Sequence, residues 1–269
     1  MIGIMQGRLS PTVAGKIQAF PEKYWKAEFF TAHALGFDMI EWTLDRQNIL
    51  QNPFLIDHQS ISAIKDMSGV NLISLTYDAA MQAPLVLDGK IQEKEVELIS
   101  QVLQACQKLN VKYLIFPLVD QSSIKDYDDY REYIKLFRYI DEKLLSDKIR
   151  IAIESDFEPK KVKQFMTDIG SENIGINYDT GNSAALGYDF EEEMSEYSAF
   201  VFNIHLKDRK FRGSTVPFGE GDAPLSEQIG YFKKNLNECN WVIQGARSRT
   251  GDDVGIAQNY LKFITSKVI

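Results

Sequence analysis

Cysteine is scarce in this chain, with two in 269 residues, as are histidine, with three, and proline, with eight. Two thiols cannot make a disulfide framework, so nothing here implies an oxidising compartment. Cys106 falls in a helical pattern and Cys239 just before a strand, and both read as small buried thiols. Basic charge is also in deficit, with 30 Lys and Arg against 38 Asp and Glu and a formal net charge of −8. A phosphate backbone rewards a basic surface, so nucleic acid is not an expected partner. No apolar run approaches the roughly 18 residues of a membrane-spanning helix. The opening MIGIMQGRLSP starts as a strand, not as a basic segment followed by an apolar signal core. A membrane is therefore not expected as a partner either, and the cytosol is the expected compartment.

What the chain does have is alternation. Short runs rich in Ile and Val stand at Ile2–Met5, Met39–Trp42, Leu72–Thr76, Tyr113–Phe116, Arg150–Glu154, Ile174–Tyr178, Phe200–His205 and Trp241–Gln244. Between them lie segments of helical spacing, of which Val96, Ile99, Val102, Leu103, Cys106 and Leu109 make the clearest stripe. Gly36, Gly69 and Gly170 sit where helix C-caps belong, and Pro159 suits a first helical turn. GIAQNYLKFITSKVI reads as a closing helix. Strand–helix alternation implies parallel strands with crossover helices. An eight-stranded α/β barrel takes about 250 residues. The expectation is one α/β barrel domain over residues 1–269. Two longer loops, from Tyr77 to Lys90 and from Lys210 to Pro224, interrupt the pattern and invite a functional reading.

In such a barrel all strand C-termini open on one face, where residues distant in sequence converge. Four strand ends there carry ligand-grade atoms: Glu154 in IRIAIESD, Asp179 in IGINYDTGN, His205 in FVFNIHLKD and Gln244 in WVIQGARSR. Each also has a bland reading. Glu154 can be a salt-bridge partner, Asp179 a turn cap, His205 a satisfied core histidine and Gln244 a buried hydrogen-bonder. The first three together, on consecutive strands, point to a metal-capable site. His33 and His58 lie in helical segments and read as structural.

The eight units, the opening GIMQGRLSP, the Glu154 strand, DTGN after strand six, HLKD after strand seven and the GEG loop resemble the xylose-isomerase-like TIM barrels. The resemblance covers essentially the whole chain and is nearest the sugar isomerase and epimerase branch. It implies a divalent ion, Mn²⁺, Zn²⁺ or Mg²⁺, on Glu154, Asp179 and His205, with a second glutamate as fourth ligand. The family's two glutamates also move the substrate proton. Gln244 stands where that second glutamate belongs, so the expected catalytic pair is Glu154 and Gln244. An amide keeps a ligating oxygen but has neither the charge nor the proton affinity of a carboxylate. Weaker metal binding follows, with Glu154 as the only expected base, which favours aldose–ketose isomerisation over two-base epimerisation.

A sugar or sugar phosphate is the partner that the resemblance implies; oligomer formation is left open. Gln6 and Arg8 after strand one, Glu41 ending strand two, and Asn182 just past Asp179 are the expected substrate groups. Lys207, Arg209, Arg212 and Arg247 gather beside the strand-seven and strand-eight loops, where barrels frequently hold phosphate. Trp42, Tyr77 and Phe218 are candidate apolar walls. A non-catalytic carbohydrate binder of the same fold is the alternative reading, motivated by Gln244. A repair-type nuclease fits poorly, because that chemistry needs a cluster richer in histidine and a basic groove.

Overall fold

A computed structural model of the chain describes residues 1–144 and 148–268. The strands are β1 (Ile2–Met5), β2 (Met39–Thr43), β3 (Ser74–Thr76), β4 (Tyr113–Leu118), β5 (Arg150–Ser155), β6 (Ile174–Asp179), β7 (Val201–Leu206) and β8 (Asn240–Ile243). They pair in sequence order, all parallel, and β1 pairs with both β2 and β8, so the sheet closes into a barrel. Helices lie between successive strands, and the fold is a (β/α)8 barrel. No helix among the described residues is long and apolar enough to cross a membrane.

The expected strand positions hold to within a residue or two, and the differences have local causes. β4 runs past Phe116 through Pro117 to Leu118. Proline lacks only the N–H, and the Pro117 carbonyl still accepts from Ser122 Oγ at 2.8 Å. β7 starts at Val201 because Ser198–Phe200 close a 3₁₀ turn. The helix stops at Gly36, Gly69 and Gly170 are left-handed caps, with φ of 89°, 71° and 70°.

Side-chain alternation sorts each strand into two faces. Ile40 and Trp42 of β2, Ile151 and Ile153 of β5, and Ile204 and Leu206 of β7 belong to the large apolar cluster that includes the helices' buried faces. Each such side chain contributes about 1.5–3 kcal/mol on burial. The intervening residues of the same strands point into the barrel. Met5, Met39 and Val242 form a small separate apolar cluster. Other interior positions are polar, with Glu41, Asn177, Asn203 and His205 all buried. Met5 is paired with Glu41 and Val242 with His205, so the small apolar cluster and the polar groups are strand neighbours.

The three aromatic side chains expected as cavity walls are elsewhere. Trp42 packs among Phe20, Trp25 and Phe54. Tyr77 lies against Phe116, and Phe218 against Tyr260. All three are packing residues. Cys106 and Cys239 are free and buried.

Candidate metal and substrate site

Glu154, Asp179 and His205 each offer a ligand atom within 4.8 Å of the other two. Strand register explains the meeting, since Asp179 of β6 is paired directly with His205 of β7. Asp179 also caps the helix Thr180–Leu186, and its Oδ1 accepts from the Gly181 and Asn182 amides at 2.9 and 2.8 Å. Capping fixes the carboxylate, and its Oδ2 faces the Lys207 ammonium at 2.7 Å. Lys207 reaches it over Gly181, where a Cβ would stand 2.8 Å from Lys207 Cγ. Thr180 Oγ1 ties the same two segments, donating to the Lys207 carbonyl at 2.6 Å.

His205 is held from beneath. Its Nε2 lies 2.6 Å from Glu41 Oε1, and Glu41 also accepts from Ser74 and Thr76 hydroxyls at 2.6 and 2.7 Å. With Nε2–H donated to Glu41, Nδ1 faces the carboxylates, 3.3 Å from Glu154 Oε2, and becomes a ligand atom once a cation displaces its proton. Asn177 Nδ2 lies 3.0 Å from Nδ1 and donates to Glu154 Oε2 at 2.8 Å. Glu41 was expected to meet substrate. At 0% exposure beneath the imidazole it cannot, and it orients the histidine instead.

The opposite side of the mouth is built from amides. Gln244 follows β8, and its Nε2 donates to Gln18 Oε1 at 2.8 Å. Gln18 Nε2 in turn donates to Asp78 Oδ2 at 2.5 Å. This chain fixes the Gln244 amide so that its buried Oε1 has no hydrogen-bond partner among the described residues. Sequence reading missed both Gln18 and Asp78. Neither ends a strand, although Asp78 opens one of the two loops singled out.

Glu154, Asn182, Lys207, Arg209, Arg212 and Gln244 line one cavity of about 610 Å³, together with Gln18 and Asp78. Asn182 donates to Glu154 Oε1 at 2.6 Å and accepts from Arg209 at 2.7 Å. Gln6, Arg8 and Arg247, also expected here, are outside the cavity lining. Gln6 Oε1 accepts from the Thr43 amide at 3.2 Å. Arg8 is buried and bonds the Ile17 carbonyl, while Arg247 bonds the carbonyls of Gly7, Ser10 and Ile17 and pairs with Asp253. Both arginines brace the loop after β1, the segment that delivers Gln18. Of the segment that follows β7, Lys207, Arg209 and Arg212 reach the cavity. The GEG stretch is instead tied down by Asp208, which accepts from the Gly219 and Gly221 amides at 2.7 and 3.0 Å.

Three buried carboxylates around one imidazole set the electrostatics. Burial alone would lower the His205 pKa, but Glu41 and Glu154 overcome it and hold the value up at about 10. Burial pushes Glu154 up, and His205, Lys207 and Asn177 outweigh it, so its carboxyl stays below the ordinary range. Such a surplus of buried negative charge suits a cation. The donor set fits a divalent ion: two carboxylates, an imidazole whose far nitrogen is held by a carboxylate, and the unpartnered Gln244 oxygen beside the same cavity.

Residues 29–249 match the family described as xylose isomerase-like TIM barrel, and the chain belongs to that family. It is 26% identical over 237 residues to a Haemophilus influenzae protein, covering 78% of this chain and 79% of that one; the relative's name provisionally assigns it L-ribulose-5-phosphate 3-epimerase activity. Among solved structures it resembles D-psicose 3-epimerase from Clostridium cellulolyticum H10, determined with D-tagatose, with a TM-score of 0.75 at 15% identity over 99% of each chain. It also resembles the IOLI protein with a zinc atom bound, with a TM-score of 0.73 at 14% identity over 100% of this chain and 99% of that one.

Proposed function

We propose that this protein is a metal-dependent isomerase or epimerase of a sugar or sugar phosphate, working through an enediolate. The observation that carries the reading is Glu154. It is a buried carboxylate at the cavity wall, both oxygens are oriented by the amides of Asn177 and Asn182, and its pKa is held below the ordinary range. It therefore enters the reaction as an ionised base. Glu154, Asp179 and His205 would hold the divalent ion, with Gln244 or water completing the shell. When bound, that ion supplies polarisation of the sugar carbonyl and stabilisation of the enediolate charge.

Glu154 takes the proton from the carbon next to the carbonyl, and the C–H electron pair spreads over the carbon–carbon–oxygen unit. Asn182, bonded to both Glu154 and Arg209, is placed to hold a neighbouring hydroxyl. Lys207, Arg209 and Arg212 give the cavity a cationic rim that suits a phosphate, in keeping with the phosphosugar named for the Haemophilus relative. Returning the proton to the adjacent carbon completes an isomerisation, and returning it to the same carbon from the other side completes an epimerisation.

Incubation of the Mn²⁺-loaded protein with L-ribulose 5-phosphate and with D-psicose in D₂O tests this. Solvent deuterium should enter the carbon next to the carbonyl. No exchange with either sugar, alongside measurable sugar binding by calorimetry, would favour the second reading, a carbohydrate binder. That reading draws on one observation, the amide rather than carboxylate at Gln244.

A further inference from the structure

An enediolate can be reprotonated on either face, so the product depends on which acids reach it. Five carboxylates line the cavity: Asp45, Asp78, Asp120, Glu154 and Asp156. Asp45 is occupied, accepting from the Phe20 and Gln47 amides through separate oxygens at 3.0 Å each. Asp156 accepts from Ser123 Oγ at 2.6 Å, and Asp120 is exposed. Asp78, like Asp45 and Glu154, is buried and yet lines the cavity, at 5% exposure. Its hydrogen bonds, from Gln18 Nε2 at 2.5 Å and Thr43 Oγ1 at 3.3 Å, both fall on Oδ2. Among the described residues Oδ1 has no such partner, and it is not one of the sealed, unpartnered atoms.

We infer that Asp78 is the second acid–base group of this site, facing the reacting carbon from the β3 side while Glu154 faces it from the β5 side. The inference rests on the isomerase or epimerase reading above and specifies its outcome, inversion at one carbon. Strand β4 separates the two carboxylates in the ring, so a carbon held between them is approached from two directions. The Gln18 amide is fixed by Gln244 on one side and holds Asp78 Oδ2 on the other. Gln244 then serves to orient a carboxylate it does not itself possess.

Burial lifts the Asp78 carboxyl, the Glu154 charge lifts it further, and Gln18 and Thr43 only partly oppose this, leaving it at about 7. Protonated and ionised forms thus coexist at neutral pH, as a group that gives and takes one proton requires. The step balances without an outside reagent. Glu154 removes the carbon-bound proton, and the electron pair of that C–H bond forms the enediolate. Protonated Asp78 then gives its proton to the same carbon from the other side, re-forming C–H and C=O. Glu154 ends protonated and Asp78 ionised, and one proton is exchanged through solvent before the next turnover.

The test compares wild type, Asp78→Asn and Glu154→Gln, loaded with Mn²⁺, on L-ribulose 5-phosphate and D-psicose in D₂O, followed by NMR. Wild type should invert the carbon and place deuterium there. Asp78→Asn should lose inversion by about a hundredfold or more. It should still wash deuterium, with retention, into the epimer whose proton faces Glu154. Glu154→Gln should do the converse, exchanging only the product epimer. Mn²⁺ affinity of Asp78→Asn should remain that of wild type, and a tenfold fall would make Asp78 a ligand and overturn the assignment. Inversion by Asp78→Asn within about threefold of wild type overturns it as well. If wild type neither exchanges nor converts either sugar, the proposed function fails and takes this inference with it. Should Asp78→Asn fail to fold, Gln18→Leu, which leaves the carboxyl but frees it, must depress inversion more than exchange, and equal loss of both counts against the assignment.

Discussion

On the β5–β7 side of the mouth, each focal side chain lies in the last two residues of a barrel strand, and its position is dictated by ladder register. Glu154, Asp179 and His205 belong to three neighbouring strands, and Asn177 and Glu41 support them from the barrel interior. On the other side only Gln244 follows a strand; Gln18 and Asp78 come from loops and are linked by side-chain hydrogen bonds. The first side concentrates charge on rigid backbone, which suits holding an ion. The second joins an acid to amides on segments braced by Arg8 and Arg247, which suits handling a proton or a substrate hydroxyl. A site assembled this way can change its acid–base chemistry on the loop side without disturbing the ligands.

The largest expected effect tests the charged side. Glu154→Gln should reduce turnover of the susceptible sugar by about a hundredfold or more, measured as initial rate with metal saturating. A smaller loss would mean that the charged side holds the ion but does not perform the proton transfer.

Asp78 sharpens the loop side through stability. Its unfolded carboxyl titrates near 3.8 and its folded one near 7, so between those values the folded protein binds the extra proton. Native stability should therefore fall as pH rises through that window, while an asparagine carries no such penalty. Asp78→Asn should match wild type in urea unfolding near pH 4 and exceed it near pH 8 by on the order of 2–4 kcal/mol. A difference independent of pH would remove the buried titration from this side of the site.

Glu41→Gln comes next and asks whether the imidazole depends on the carboxylate beneath it. Loss of such an orienting partner typically weakens a metal site by about 10–100-fold, readable by calorimetry with Zn²⁺. Gln244→Glu should act in the opposite direction. Restoring an anionic oxygen should tighten Mn²⁺ by roughly tenfold, because affinity follows ligand charge. At the small end, Arg249→Ala removes an exposed pair with Glu220, and stability should change by less than about 1 kcal/mol.

How legible each side was in the amino-acid sequence follows from the same contrast. Barrel strands announce themselves by short apolar runs, so the polar residue that ends each run could be read as facing the mouth. That logic located Glu154, Asp179, His205 and Gln244. It overreached at Glu41, which also sits in an apolar run. Alternation along Met39, Glu41 and Thr43 sets Glu41 a layer lower, inside the barrel. Gln18 lies in a stretch with no periodicity, and an isolated amide there carries no signal. Asp78 follows Tyr77 in a loop whose length was informative but whose direction was not. The arginines show the limit of counting charge. Arg209 and Arg212 reach the cavity, whereas Arg8 and Arg247 are taken up by backbone carbonyls, a use that nothing local to them betrays.

Gly181 and Lys207 lie in two separate motifs, DTGN and HLKD, yet the glycine leaves the space that the lysine stem occupies on its way to Asp179. A side chain at 181 would displace the lysine or be excluded by it. The two motifs are thus one inherited unit rather than two. Across related sequences, a residue larger than glycine at this position should coincide with the loss or shortening of the lysine. Exchange of either motif alone between homologues should fail where exchange of both succeeds.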